Sequence, residues 1–203
     1  IKKKRIHKIR AIKSPKKNIA KKKEQKHKKN KKTISILHTG GTIASKVDYE
    51  TGGVIARFTP QEILAMFPEL VNKANIHSSL ISNMWSEDMN FQHYNSMARA
   101  VEKEVKKGVD GIIITHGTDT LHYTAAALAF ALEDLPIPLI LVGAQRSSDR
   151  GSSDAAINLL SAANIILHTD FADVGVCMHN SLSDTSCSLF PAPKCRKLHS
   201  SRR

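Results

Sequence analysis

Cysteine is scarce: 203 residues contain three, Cys177, Cys187 and Cys195. An odd count without C-x-x-C spacing excludes a disulfide framework and a cysteine-paired zinc site, and predicts reduced thiols. Cys177, inside an apolar run, reads as a core residue. Ten histidines occur, none in an H-E-x-x-H pair, so no metal is expected. There is no Walker A run, so no bound ATP is expected. Aromatics make up 5% of the chain, and none lies in residues 1–32, which leaves the basic N-terminus without a base-stacking platform. No uncharged apolar stretch of about 18 residues appears, so no membrane-spanning helix is expected. The basic N-terminus lacks the apolar centre of a secretory signal, and these absences predict a cytoplasmic location. Collagen-like and wholly disordered classes are excluded by composition.

What is abundant is positive charge, and it is concentrated. Residues 1–32 hold 17 Lys and Arg against a single acid, Glu24, for a net +16. Residues 33–203 hold 14 basic and 17 acidic side chains, for a net −3. The first segment, including Lys21-Lys22-Lys23, is too charged and too poor in core-forming side chains to fold alone, and reads as a linker or a phosphate-contacting tail. The overall pI near 9.8 therefore says nothing about the surface of the body.

From Thr33 onward the texture is that of a folded domain. Ile34–Leu37, Ile76–Ser82, Gly111–Ile114, Leu139–Val142 and Val174–Met178 are short apolar runs, and the most continuous have the pattern of strands covered on both faces. Between them lie helical patterns: one opened by Thr59-Pro60-Gln61-Glu62 and ended by Pro68, then Phe91–Lys107, Leu121–Leu135 and about Asp154–Leu167. This alternation predicts an α/β domain of three layers, a mainly parallel sheet with helices on both faces, preceded by a disordered basic tail.

Ligands of such sheets bind beyond the carboxyl ends of the strands. Three of those ends carry hydroxyl-rich loops: Thr39 to Thr42, Thr118 to Thr120, and Gln145 to Ser153. Any one of them is ordinary turn and helix-cap chemistry. Taken together they suggest a site in which a threonine hydroxyl, activated by a base, attacks a carbonyl, with backbone N–H groups holding the oxyanion. No histidine is obviously placed as that base, whereas a lysine can serve. Acyl transfer on a small amino-acid amide is the chemistry this suggests.

The run Thr39-Gly40-Gly41-Thr42-Ile43-Ala44, followed by Thr115-His116-Gly117-Thr118-Asp119-Thr120, resembles the two signatures of the bacterial-type L-asparaginase/glutaminase family. The runs from Ser45 to Val54, from Met84 to Met89 and from Gly143 to Asp154 are similar to one branch of it, the D-type subunits of the archaeal glutamyl-tRNA(Gln) amidotransferases. The resemblance covers about Lys32 to Arg203 and implies the asparaginase N-terminal-domain fold. It implies Thr42 as nucleophile, and Thr118 activated by Lys197 with Asp119 binding the substrate α-amino group. It also implies Ser86 and Glu87 as the substrate-binding pair and Tyr49 on a closing segment. The competing structural readings make Thr42 a helix cap, Lys197 a plain surface charge and His116 a satisfied buried residue.

The implied activity is release of ammonia from glutamine or asparagine, with no cofactor on this chain and ATP used by a partner subunit of the E type. That partner would convert Glu-tRNA(Gln) to Gln-tRNA(Gln), the D-type chains forming a homodimer within a heterotetramer. A free-standing L-asparaginase and a tail-driven RNA-binding module are the alternatives. The family also has a smaller C-terminal domain, absent here, so the chain is expected to be a fragment and catalytically poor alone. The stretch from Asn180 to Lys194, with Pro191 and Pro193, fits the family pattern least.

Overall fold

A computed structural model describes residues 31–47, 54–56, 61, 62, 65, 67–181 and 185–198. Its strands are β1 (Thr33–Gly40), β2 (Ser45–Val47), β3 (Val54–Ala56), β4 (Asn75–Met84), β5 (Gly111–Thr115), β6 (Leu139–Val142), β7 (Val174–His179) and β8 (Cys187–Pro191). Its helices are α1 (Pro68–Lys73), α2 (Phe91–Lys106), α3 (Leu121–Ala131) and α4 (Ala155–His168). Six strands form one sheet in the order β4-β1-β5-β6-β7-β8. All neighbours are parallel except β7 and β8. β2 and β3 form a separate antiparallel pair.

Alternation along each strand sorts its side chains onto the two faces. Ile34, Ile36, Ile113, Ile140 and Cys177 pack with Leu70 of α1 and with Ala155, Leu159, Ala162 and Ile166 of α4. Leu37, Ile112, Ile114, Leu139 and Leu141 pack on the other face with Met97 and Val101 of α2 and with Leu121, Ala125 and Leu128 of α3. The result is the expected three-layer α/β arrangement. His38, Thr39 and Thr115 are buried polar side chains at the carboxyl ends of β1 and β5. His38 is fully buried, with Nδ1 2.8 Å from Thr115 Oγ1 and Nε2 2.8 Å from Ser78 Oγ.

Local chemistry explains most boundaries. Asn90 accepts from Gln92 N–H, and its own N–H donates to His93 Nδ1, a capping box that starts α2. Pro68 follows the end of a helix, as expected: Gln61, Glu62 and Ala65 are helical and Phe67 is not. It also opens α1 at a first-turn position, where its missing N–H costs no intrahelical bond. Helix α3 stops at Ala131 rather than at Leu135, because Asp134 turns left-handed (φ 54°) and Leu135 precedes a proline. The stretch that fitted least holds β8 and the 3₁₀ turn Ala192–Lys194, with Pro191 closing an edge strand where proline is tolerated. Lys31 and Lys32, assigned to the tail, are joined to the body: Asn75 N–H donates to Lys32 O, and Lys32 Nζ caps the end of α4 through Ile166 O and Leu167 O. The rest of the predicted tail, Tyr49 and the predicted Thr59–Pro60 helix start lie outside the described residues. No helix among the described residues is long and apolar enough to cross a membrane.

Candidate active site

The strand order places the chemistry. From β1 the chain crosses outward to β4 and then returns to the opposite side of β1 as β5, so the winding reverses between β1 and β5. A crevice at the carboxyl ends of those two strands is the standard ligand site of such a sheet. Both threonine turns leave the sheet there.

The turns are pressed together. Gly41 lies at φ 75°, and a Cβ built on it would fall 2.4 Å from both Cα and N of Gly117. Only glycine gives this conformation and this approach together. Gly41 N–H also donates to Met84 O at 3.2 Å, which ties in the end of β4. Thr42 is not a helix cap: Gly41 occupies that position, Thr42 begins the 3₁₀ turn Thr42–Ala44, and no side-chain cap bond forms. The third loop joins through Ser148 Oγ, which donates to Ile43 O at 2.5 Å.

Ser86 sits behind the second turn. Its side chain is buried and donates to Glu87 Oε2 at 3.2 Å, and its carbonyl accepts from Thr120 Oγ1 at 2.7 Å. A Cβ on Gly117 would come within 2.8 Å of Ser86 Oγ, so the glycine lets this turn lie against Ser86. Glu87 itself is exposed.

Lys197 arrives from the far end of the chain. After β8 and the Ala192–Lys194 turn, its Nζ donates to Thr118 Oγ1 at 2.6 Å and to Asp119 Oδ1 at 2.7 Å. Its side chain is 14% exposed and that of Asp119 35%, so the pair is partly screened from water. Such a lysine is no free surface charge. Thr118, Lys197, Arg196, Gln145, Val176 and Phe190 are among the residues around a cavity of about 400 Å³; Thr42 does not line it. His122 lines it as well, and its basicity is lowered by burial and by the neighbouring Arg196 and Lys197 charges.

His116 is fully buried at the base of the second turn. Its Nδ1–H donates to Gly117 O at 2.7 Å, and Nε2 accepts from Thr124 Oγ1 at 2.9 Å. Burial pulls its pKa down to about 4, against the opposing pull of the Gly117 carbonyl. A neutral imidazole with both nitrogens engaged is a strut of the turn, not a proton acceptor for Thr118.

A further group was missed from sequence. Asp154, fully buried at the start of α4, accepts from Gln145 N–H (3.0 Å), Arg146 N–H (3.0 Å) and Asn158 Nδ2 (3.1 Å), and His179 Nδ1 lies 3.0 Å from it. Asn158 Nδ2 also donates to Gly143 O at 3.0 Å. The two side chains lie one helical turn apart and hold the third loop against the site. An acid at a helix start with an amide four residues on is a legible sign of such a clamp.

Hydroxyl, ammonium and carboxylate groups thus gather at the switch point of a doubly wound α/β sheet, the place where such folds bind small polar ligands. Comparison makes the class specific. The family model described as Asparaginase, N-terminal, matches residues 33–203, and the chain belongs to that family. Among solved structures it is similar to L-asparaginase I from Vibrio cholerae O1 biovar eltor, with a TM-score of 0.74 and 30% identity over 84% of this chain and 49% of that one. The thermostable L-asparaginase from Thermococcus kodakarensis superposes with a TM-score of 0.61 at 35% identity, over 71% of this chain and 43% of that one. In sequence it is 48% identical over 179 residues to the D-type subunit of the glutamyl-tRNA(Gln) amidotransferase of Methanosarcina barkeri, covering 88% of this chain and 42% of the relative. The corresponding protein of Pyrococcus furiosus is 51% identical over 171 residues, 84% of this chain and 39% of that protein. The chain thus spans about two fifths of the length of these curated relatives.

Proposed function

We propose that this chain carries the amide-hydrolysing site of a tRNA-dependent amidotransferase, in the role of its D-type chain. It releases ammonia from the side-chain amide of glutamine or asparagine. A partner subunit of the E type then uses the ammonia, with ATP, to turn Glu-tRNA(Gln) into Gln-tRNA(Gln), and the chain itself needs no cofactor. The D-type chains pair as a homodimer within a heterotetramer. The observation that carries the reading is the Lys197–Thr118–Asp119 cluster, drawn from positions 79 and 78 apart onto the rim of the switch point.

The chemistry follows from those contacts. In its amine form Lys197 takes the Thr118 hydroxyl proton across the 2.6 Å contact. A threonine oxygen bonds to the amide carbon, the C–N bond breaks, ammonia leaves with the transferred proton, and an ester remains. Water then attacks that ester, returns the hydroxyl and frees the acid. Thr42 stands on the adjoining turn as the second hydroxyl, with Tyr49 on the segment that follows it. Asp119 takes the substrate α-ammonium, and Ser86 with Glu87 holds the amino-acid end.

A free-standing L-asparaginase is the second reading, because the structural neighbours bear that name. Identities of 48–51% to the amidotransferase chains, against 30–35% to the asparaginases, favour the first. The test is ammonia release from glutamine and from asparagine, with and without the partner subunit and Glu-tRNA(Gln). Stimulation by partner and tRNA supports the amidotransferase, and equal rates without them support the asparaginase. Lys197→Met lowers kcat by about 10²-fold or more if the lysine is the base. Unchanged turnover would refute the assignment, and the threonine on which the ester is trapped identifies the attacking oxygen.

A further inference from the structure

Gly143 is the residue that follows β6, buried at the back of Thr118. Its backbone lies outside the left-handed region, so the conformation itself admits alanine. What excludes a side chain is one neighbour. A Cβ at this position would stand 2.6 Å from the Thr118 methyl carbon, whereas His116 O and Leu121 Cδ1 are 3.1 Å and 3.3 Å away. The latter two can give by a few tenths of an ångström, and the methyl cannot without turning about χ1.

That turn matters because threonine carries its methyl and hydroxyl on the same carbon. The two are fixed about 120° apart, and χ1 is confined to staggered wells. Seating the methyl against Gly143 therefore sends Oγ1 toward Lys197, where it lies 2.6 Å from Nζ. Rotation to another well would carry Oγ1 about 2.3 Å away and break that contact. The slot is itself held in place: Asn158 Nδ2 donates to Gly143 O at 3.0 Å, and Asp154 grips the N–H groups of Gln145 and Arg146 just beyond it.

We propose that Gly143 is a positioning residue for Thr118: the space left by its missing side chain receives the threonine methyl and so aims the hydroxyl at Lys197. This rests on the amidohydrolase reading for its consequence in turnover, and on geometry alone for the rotamer.

The experiment compares Gly143→Ala, Thr118→Ser and the double variant with the parent protein, with glutamine and asparagine as substrates and a crystal structure of each. Gly143→Ala lowers kcat about tenfold or more and changes KM by less than about threefold, because orientation rather than binding is lost. Serine has no methyl to collide, so adding Gly143→Ala to Thr118→Ser changes kcat by less than about threefold. In the crystal structures Oγ1 of residue 118 leaves Lys197 in Gly143→Ala only. An equal loss from Gly143→Ala in both backgrounds, or a Gly143→Ala protein with parental kcat and an unmoved Oγ1, overturns the proposal. If Gly143→Ala alone fails to fold, a folded double variant with the turnover of Thr118→Ser supports it, and a double variant that also fails overturns it. A parent protein that releases no ammonia even with the partner subunit and Glu-tRNA(Gln) refutes the functional reading, while the four rotamers still decide this one.

Discussion

Acid should unfold this domain through two histidines, well before most carboxylates are protonated. His38 and His116 are both fully buried, and burial lowers each pKa from 6.5 to about 4. The unfolded chain binds protons at both positions as pH falls through 6.5, while the native protein resists until about pH 4. Stability is therefore complete above pH 6.5 and is lost as pH drops from there toward 4, where the loss levels off. At pH 5 each histidine has cost about 2 kcal/mol, so the pair costs roughly 4 kcal/mol, a large part of a typical domain's 5–15 kcal/mol. Near pH 5 the slope is about 2.4 kcal/mol per pH unit for the pair and half that for one. Urea unfolding at pH 7, 6 and 5 measures it. His38→Gln keeps polar groups facing Ser78 and Thr115 but cannot titrate, so it should lower stability at pH 7 and halve the slope. A His38→Gln protein with the full parental slope would show that burial of His38 is not the source, and the argument would fail.

Two further substitutions probe how the loops are held. Gly41→Ala should cost about 3 kcal/mol or more, since it combines φ 75° with a 2.4 Å clash on Gly117. Gly108→Ala shares φ 75° but meets nothing within 4 Å, so it should cost only about 1 kcal/mol, and equal melting shifts would disprove the clash. Asp154→Ala should destabilise by about 3–5 kcal/mol, because Gln145 and Arg146 N–H groups lose their buried acceptor. A loss below about 1 kcal/mol in denaturant unfolding would remove Asp154 from the role of clamp.

The layered α/β architecture was legible in the chain, because the strands of a sheet covered on both faces must be continuous apolar runs, and β5 and β6 are. The helix that starts at Phe91 was equally plain, since its apolar spacing is local. So were the two threonine turns, because one glycine-threonine turn after a buried strand is ordinary but two in the same sheet stand out. The boundary that misled was set by backbone conformation: left-handed Asp134, with Leu135 ahead of a proline, ends α3 at Ala131, and the helix that Pro68 opens was missed because it is a single short segment packed through Leu70 on α4. The β2–β3 pair and edge strand β8 were not legible, being short and drawing their hydrogen bonds from partners the local pattern does not name.

Sequence alone thus determined which chemical groups the loops carry, since hydroxyl, carboxylate and amine are properties of residue type. Tertiary structure decided which of them meet. Lys197 stands among other cations in the sequence, and only the turn after β8 brings its Nζ to Thr118. The slot at Gly143 and the Asp154 clamp belong to the same category: they consist of space and direction between segments, which exist only once the sheet has ordered its strands.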